Sequence, residues 1–197
     1  ALSLFPTHGT SMTNQNKLIS GDNKGYAAYH WEHDEAGVNY RADKNPFVAA
    51  FAQTNPGDMS PNLNLKPGSG PTEDEFENTR IIGQRQADKA LALSKQSTTL
   101  LQGAVDYRMR YVDMSQVTVS GAYTADGKPH TTCPAALGTS FAAGSEEDGP
   151  GPGIAKEGQS NPFLAAVGGL VFWPSETLRQ CHGVKEVVIP VGDMKPY

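Results

Sequence analysis

"FVAAFAQTNPGDMSPN", residues 47–62, carries an apolar run straight into a loop broken by Asn55, Pro56 and Gly57. Residues 47–52 are continuously apolar, short, and bracketed by Pro46 and the Asn-Pro-Gly turn signal, so they read as a buried strand. The loop that follows holds a single serine, Ser60, between Met59 and Pro61. Ser60 thus stands just past a strand's C-terminal end, where the loops of an open α/β sheet converge on ligands.

Working outward, SGDNKGYAAYHWEHDEAG offers Ser20 or Asp22 as a helix cap and Gly37 as a stop, which predicts a helix between them. Residues 73–96 lack proline, hold one glycine and begin with acids, so they predict the longest helix. Its apolar stripe of Phe76, Gly83, Ala87, Ala90 and Leu91 is built largely of small residues, which implies close packing on a neighbour. In GAVDYRMRYVDMSQVTV, residues 103–119, Val105, Tyr107, Met109 and Tyr111 alternate with Asp106, Arg108 and Arg110, the pattern of a half-buried strand or hairpin arm. GTSFAAGSEEDGPGPG reads as a glycine-rich loop, NPFLAAVGGL as a short apolar helix or turn, and VKEVVIPVGD as a final strand. Helices and strands interleave, so the expected class is α/β, with mixed β-sheets flanked by helices in one domain.

Composition narrows the function. Sixteen basic against 21 acidic side chains give a net charge of -5, which disfavours a polyanionic partner such as nucleic acid. With 21 Gly and 14 Pro in 197 residues, long ordered loops are expected. No stretch approaches the roughly 20 apolar residues of a membrane span, so the chain is expected to be soluble. The opening ALSLFPTHGT is apolar and strand-like, with no charged n-region, and is expected to lie inside a longer protein. Cys133 and Cys181 are too few for a disulfide scaffold and lack C-x-x-C spacing; a single disulfide, an external partner and free thiols all stay open.

Several residues could carry chemistry. On spacing alone Ser60 reads as a loop serine closing a turn with Asp58, and Gly57-Asp58-Met59-Ser60-Pro61 is not the G-x-S-x-G nucleophile elbow. A serine nucleophile needs an adjacent base or a metal. His30 and His33, bracketing Trp31 and Glu32, have a spacing that two metal ligands on one helical face could use, but the surrounding acids favour a solvated helix end. His8 follows an apolar run and precedes Gly9, Thr10 and Ser11, a turn able to aim an imidazole into a cleft. Glu146, Glu147 and Asp148 match no calcium-loop spacing and read as an ordered surface loop.

Four stretches, FPTHGTSM at residues 5–12, SGDNKGYAAY at 20–29, FVAAFAQTNPGDMSPN at 47–62 and CPAALGTSFAAGSEEDGPG at 133–151, resemble the neutral ceramidase family in that family's order. The resemblance implies a zinc-dependent amidase that cleaves ceramide into sphingosine and a fatty acid. It implies that His8 is a Zn2+ ligand and that Ser60 is the nucleophile. His30 and His33 gain nothing from it. The family's zinc site also draws on an upstream histidine and on a downstream glutamate and tyrosine, and its scissile amide on an upstream histidine and arginine; none of those motifs occurs in this sequence. The family's C-terminal immunoglobulin-like domain is likewise expected to lie outside these residues. Residues 1–197 are therefore expected to be a middle segment of the catalytic domain, incomplete alone, with the remaining segments of that domain as partners. Ceramide is the expected substrate, Met59 and Phe163 are candidates for apolar lining, and the expected location is secreted or extracellular. The rival readings are a zinc amidohydrolase acting on other N-acyl compounds, and a non-catalytic secreted binding domain.

Overall fold

The structure is a computed structural model that describes residues 1–44, 46–97, 99–156 and 158–194. It packs as two compact units, Ala1–Gln102 together with Ser145–Gly149, and Gly103–Gly144 together with Pro150–Tyr197. Helices alternate with short two-stranded pairings, which bears out the α/β class.

In the first unit, β1 (Leu2–Leu4) pairs in parallel with β2 (Ala50–Ala52), with Ser3 opposite Phe51. The expected strand over residues 47–52 is therefore shorter and less buried: Ala49 is buried, while Phe47 and Val48 are exposed. With one neighbour, β2 has a ladder on one side only, and its flanking residues find no second strand among the described residues.

Helix α1 (Asp22–Tyr29) continues as a π-helical turn, His30–Glu35, and the chain leaves it through Gly37 at φ +68°. Neither Ser20 nor Asp22 is its N-cap. Gly21 takes that position, and Ser20 accepts the Asp22 N–H through its hydroxyl at 3.0 Å. Helix α2 (Glu75–Gln96) begins where the acids indicate: the Asp74 carboxylate accepts from the N–H groups of Phe76 and Glu77, satisfying two of the donors that a helix start leaves open.

The two helices meet at Gly83. A Cβ there would lie 2.4 Å from the Asn23 carbonyl oxygen and 2.9 Å from the Tyr26 Cβ, so only hydrogen fits. Gly83 and Ala87 are buried in this contact, whereas Phe76, expected on the same stripe, is exposed.

The second unit holds residues 103–112, which form no strand; Tyr107 is 84% and Tyr111 91% exposed. Alternation specifies a strand only where a sheet edge accepts it, and these residues pair with none among the described residues. Of the arm expected over residues 103–119, only its end forms: Thr118–Val119 pairs antiparallel with His130–Thr131. The glycine-rich loop holds a short helix, Thr139–Ala143. NPFLAAVGGL forms a helix, Pro162–Phe172, with the Asn161 side chain accepting the Leu164 N–H. Its Gly168 lies against the strand Val187–Ile189, which pairs with Leu137–Gly138 beside a small core of Ala136, Leu178 and Val187. Cys133 and Cys181 are joined as a disulfide across a separation of 48 residues.

Two predictions test this packing in the intact protein. Gly83→Ala gains about 1 kcal/mol of helix propensity but loses about 1–3 kcal/mol to overpacking, and since the clash is with a backbone oxygen the loss should win. Denaturant unfolding should show a net destabilisation of about 1 kcal/mol; an unchanged or higher midpoint would contradict the close α1–α2 approach. Closing a loop of this length with a disulfide restricts the unfolded chain, so the paired variant Cys133→Ala, Cys181→Ala should cost about 2–4 kcal/mol. The same unfolding experiment, run with and without reductant, checks it: reductant should lower the parent's midpoint and leave the variant's unchanged.

Candidate active site

The first unit gathers parts of all four of the sequence blocks singled out above. Three come from its main body, and the fourth from Ser145–Gly149. The loop 5–13 is tied to α1 and α2 by side chains. Asp22 sits at φ +51°, a conformation costly for most residues but accessible to Asp, and its carboxylate accepts from the N–H groups of Ser11 and Met12 at 3.1 and 2.9 Å. The Asn23 amide, fully buried, donates to the His8 carbonyl at 2.9 Å and to the Ser11 hydroxyl at 3.1 Å, and accepts from Gln86 of α2 at 3.0 Å. Lys24 donates to the Phe5 carbonyl at 2.7 Å, and partial burial holds its pKa below the usual lysine value. Glu75 of α2 accepts the Thr13 N–H at 2.6 Å.

That loop lies directly on the loop carrying Ser60. The His8 N–H donates to the Met59 carbonyl at 2.9 Å, and the His8 ring nitrogen Nε2 donates to the Gly57 carbonyl at 2.9 Å. A carbonyl oxygen only accepts, so Nε2 carries the proton and the neutral ring keeps its lone pair on Nδ1. A carbonyl partner of this kind commonly fixes a metal-binding histidine. His8 and Ser60 are thus brought onto adjoining strands of loop.

Ser60 is half-buried, and its hydroxyl has two partners. It donates to Asp148 Oδ1 at 2.6 Å and accepts the Asn62 N–H at 3.0 Å, while its own N–H bonds the Asp58 carbonyl at 2.9 Å. The turn with Asp58 expected from the sequence is therefore present, but it is only part of the environment. Asn62, 1% exposed, reaches the Thr10 carbonyl at 3.1 Å, the Glu147 carbonyl at 2.8 Å and Asp148 Oδ1 at 3.0 Å through its amide nitrogen; its amide oxygen accepts the Gly68 N–H at 3.0 Å. Thr10 also donates to Asp148 Oδ1, at 2.7 Å. Asp148, read from the sequence as part of a surface loop, is instead where three donors from two other segments converge. Only its place in a recognisable block could have signalled this, because it is 88 residues from Ser60.

Ser60 also lines a cavity of about 890 Å³ whose wall includes Leu4, Phe51, Met59, Pro61 and Ile82. Met59 is part of this lining. Phe163 is exposed on the other unit. His30 and His33 converge on Asp34, their Nδ1 atoms 2.9 and 2.7 Å from its carboxylate oxygens. Hydrogen bonds from His33 first and His30 second hold the Asp34 carboxyl below the usual carboxylate range. Among the described residues no three His, Cys, Asp or Glu side chains are grouped to hold a metal ion, and no helix is long and apolar enough to cross a membrane.

With this geometry in hand, comparison with known proteins is specific. The neutral ceramidase of Pseudomonas aeruginosa is 54% identical over 198 residues, which cover 100% of this chain and 28% of that protein. The neutral ceramidase of Mycobacterium tuberculosis is 44% identical over 94% of the chain and 29% of its own length. The chain thus spans less than a third of these relatives. A solved structure titled "Ceramidase complexed with C2" superimposes with a TM-score of 0.74 at 52% identity, covering all of this chain and 29% of that one. The structure of the neutral ceramidase from Pseudomonas aeruginosa superimposes with a TM-score of 0.67 at 47% identity, covering all of this chain and 28% of that one. The family described as "Neutral/alkaline non-lysosomal ceramidase, N-terminal" matches residues 1–197 throughout, and the chain belongs to it.

Proposed function

We propose that this chain is the nucleophile-bearing middle segment of a catalytic domain that hydrolyses the amide bond of ceramide to sphingosine and a fatty acid. One observation carries the reading: Ser60, its hydroxyl held by two hydrogen bonds, lines a largely apolar cavity, with Arg85 and Lys89 also in its wall, in a chain whose relatives are named neutral ceramidases. An apolar wall suits an acyl chain, and a positioned hydroxyl beside it suits attack on the amide that ends that chain.

In the reaction, Ser60 Oγ bonds to the amide carbon, the carbon–nitrogen bond breaks, and the serine proton ends on the leaving amine. Water then hydrolyses the ester, releasing the fatty acid and restoring the hydroxyl. Zinc, when bound, would polarise the carbonyl and lower the pKa of a bound water. The chain fits that metal only in part. His8, its Nε2 committed to the Gly57 carbonyl, has Nδ1 left for one ligand position, and the family resemblance takes the remaining ligands from other segments of the domain. The Cys133–Cys181 disulfide favours an oxidising compartment, which supports a secreted or extracellular location.

In the intact protein, Ser60→Ala should fold normally and lose on the order of 10³-fold or more of its turnover. Early quenching followed by mass spectrometry should find a fatty acyl ester on the Ser60 peptide. Its repeated absence under burst conditions would assign the attack to water and leave Ser60 a positioning role; near-normal turnover of the alanine variant would remove Ser60 from the reaction. His8→Ala should lower zinc content on elemental analysis together with rate, and unchanged zinc content would refute its role as a ligand. A panel of soluble N-acyl amides cleaved in preference to ceramide would favour the broader amidohydrolase reading.

A further inference from the structure

We propose that Asp148 is a positioning residue for Ser60, fixing the direction of its hydroxyl proton and, through it, the lone pair left for attack. The proposal rests on the reading of Ser60 as the nucleophile.

A serine oxygen has one proton and two lone pairs. Here the proton is given to Asp148 Oδ1 at 2.6 Å, and one lone pair accepts the Asn62 N–H at 3.0 Å. One lone pair remains, on a residue that lines the apolar cavity. Without the carboxylate, the hydroxyl could rotate about its Cβ–Oγ bond and spend that pair on other partners. A hydroxyl-to-carboxylate bond is charge-assisted and roughly twice as strong as a neutral one, so it holds the rotor firmly.

The carboxylate is itself held. Thr10 Oγ1 at 2.7 Å and Asn62 Nδ2 at 3.0 Å donate to the same oxygen, and the Asn62 amide also grips the neighbouring Glu147 carbonyl at 2.8 Å. All three partners of Oδ1 are donors, so an acceptor-only oxygen is the group that satisfies them. The arrangement also gives roles to Thr10 of the HGTSM block and Asp148 of the SEEDG block, which the proposed chemistry does not otherwise use.

The test is a double-mutant cycle in the intact protein, with zinc content and unfolding midpoint measured on each variant. Asp148→Ala should lower kcat by about 10²-fold, with KM changed less than about threefold, because misplacing an attacking group costs rate rather than binding. Once Ser60 is alanine, the further change Asp148→Ala should cost nothing more, since nothing is left to position. Asp148→Asn keeps an oxygen able to accept all three donors and should recover at least about tenfold over the alanine variant. Full additivity of the two alanine changes, or an asparagine variant as slow as the alanine one, would overturn the proposal. If Ser60→Ala is inactive while Asp148→Ala is fully active, this inference alone falls. If Ser60→Ala is itself active, the nucleophile reading falls and takes this one with it.

Discussion

Two buried asparagine amides, Asn23 and Asn62, are the fixed points on which the first unit is built. An amide taken out of water without partners costs about 1–3 kcal/mol, so each must be surrounded by acceptors and donors in the right places. Asn23 meets that demand by joining α2 to the His8 loop, and Asn62 by joining the Ser60 loop to the Asp148 segment. Among the described residues no buried side-chain nitrogen or oxygen lacks a partner. The fully buried side chains of this unit are largely polar, including Ser11 and Asn78. Its order thus comes from satisfied hydrogen bonds more than from a large oily core. Removing either buried amide would strand the several groups it holds.

This polar construction decides what could be read from the sequence. Helix α2 was legible because its signals are local: acids at its start, no proline, and small residues on one face. Gly83 is the clearest case, since its smallness anticipates the backbone of α1 lying against it. The alternation in residues 103–112 misled, because a period of two describes a face and not the sheet that must cover it. Residues 47–52 misled more mildly: their apolar run is real, but a two-stranded pairing leaves Phe47 and Val48 exposed.

The candidate site was half legible. Ser60 and His8 could be singled out by their turns and, more firmly, by the blocks that carry the family resemblance. Asp148 lies in one of those blocks too, but local reading passes it over, since three acids in a glycine-rich run look like solvated surface, and the donors that give it meaning lie at Thr10, Ser60 and Asn62. Hydrogen bonds between distant loops leave no periodicity for local reading to detect.

The ring of His8 shows a different kind of security. Its Nε2–H is received by a main-chain carbonyl, that of Gly57, whose residue sits at φ +54° in the turn before Ser60. A side-chain partner can be lost in one codon change, whereas a peptide oxygen is present whatever residue occupies the position. The proton on this imidazole is therefore an inheritance of backbone shape. Drift in the loop's side chains can leave it untouched, and only a change that rebuilds the turn itself, such as a residue unable to adopt positive φ at 57, would hand the ring its other tautomer.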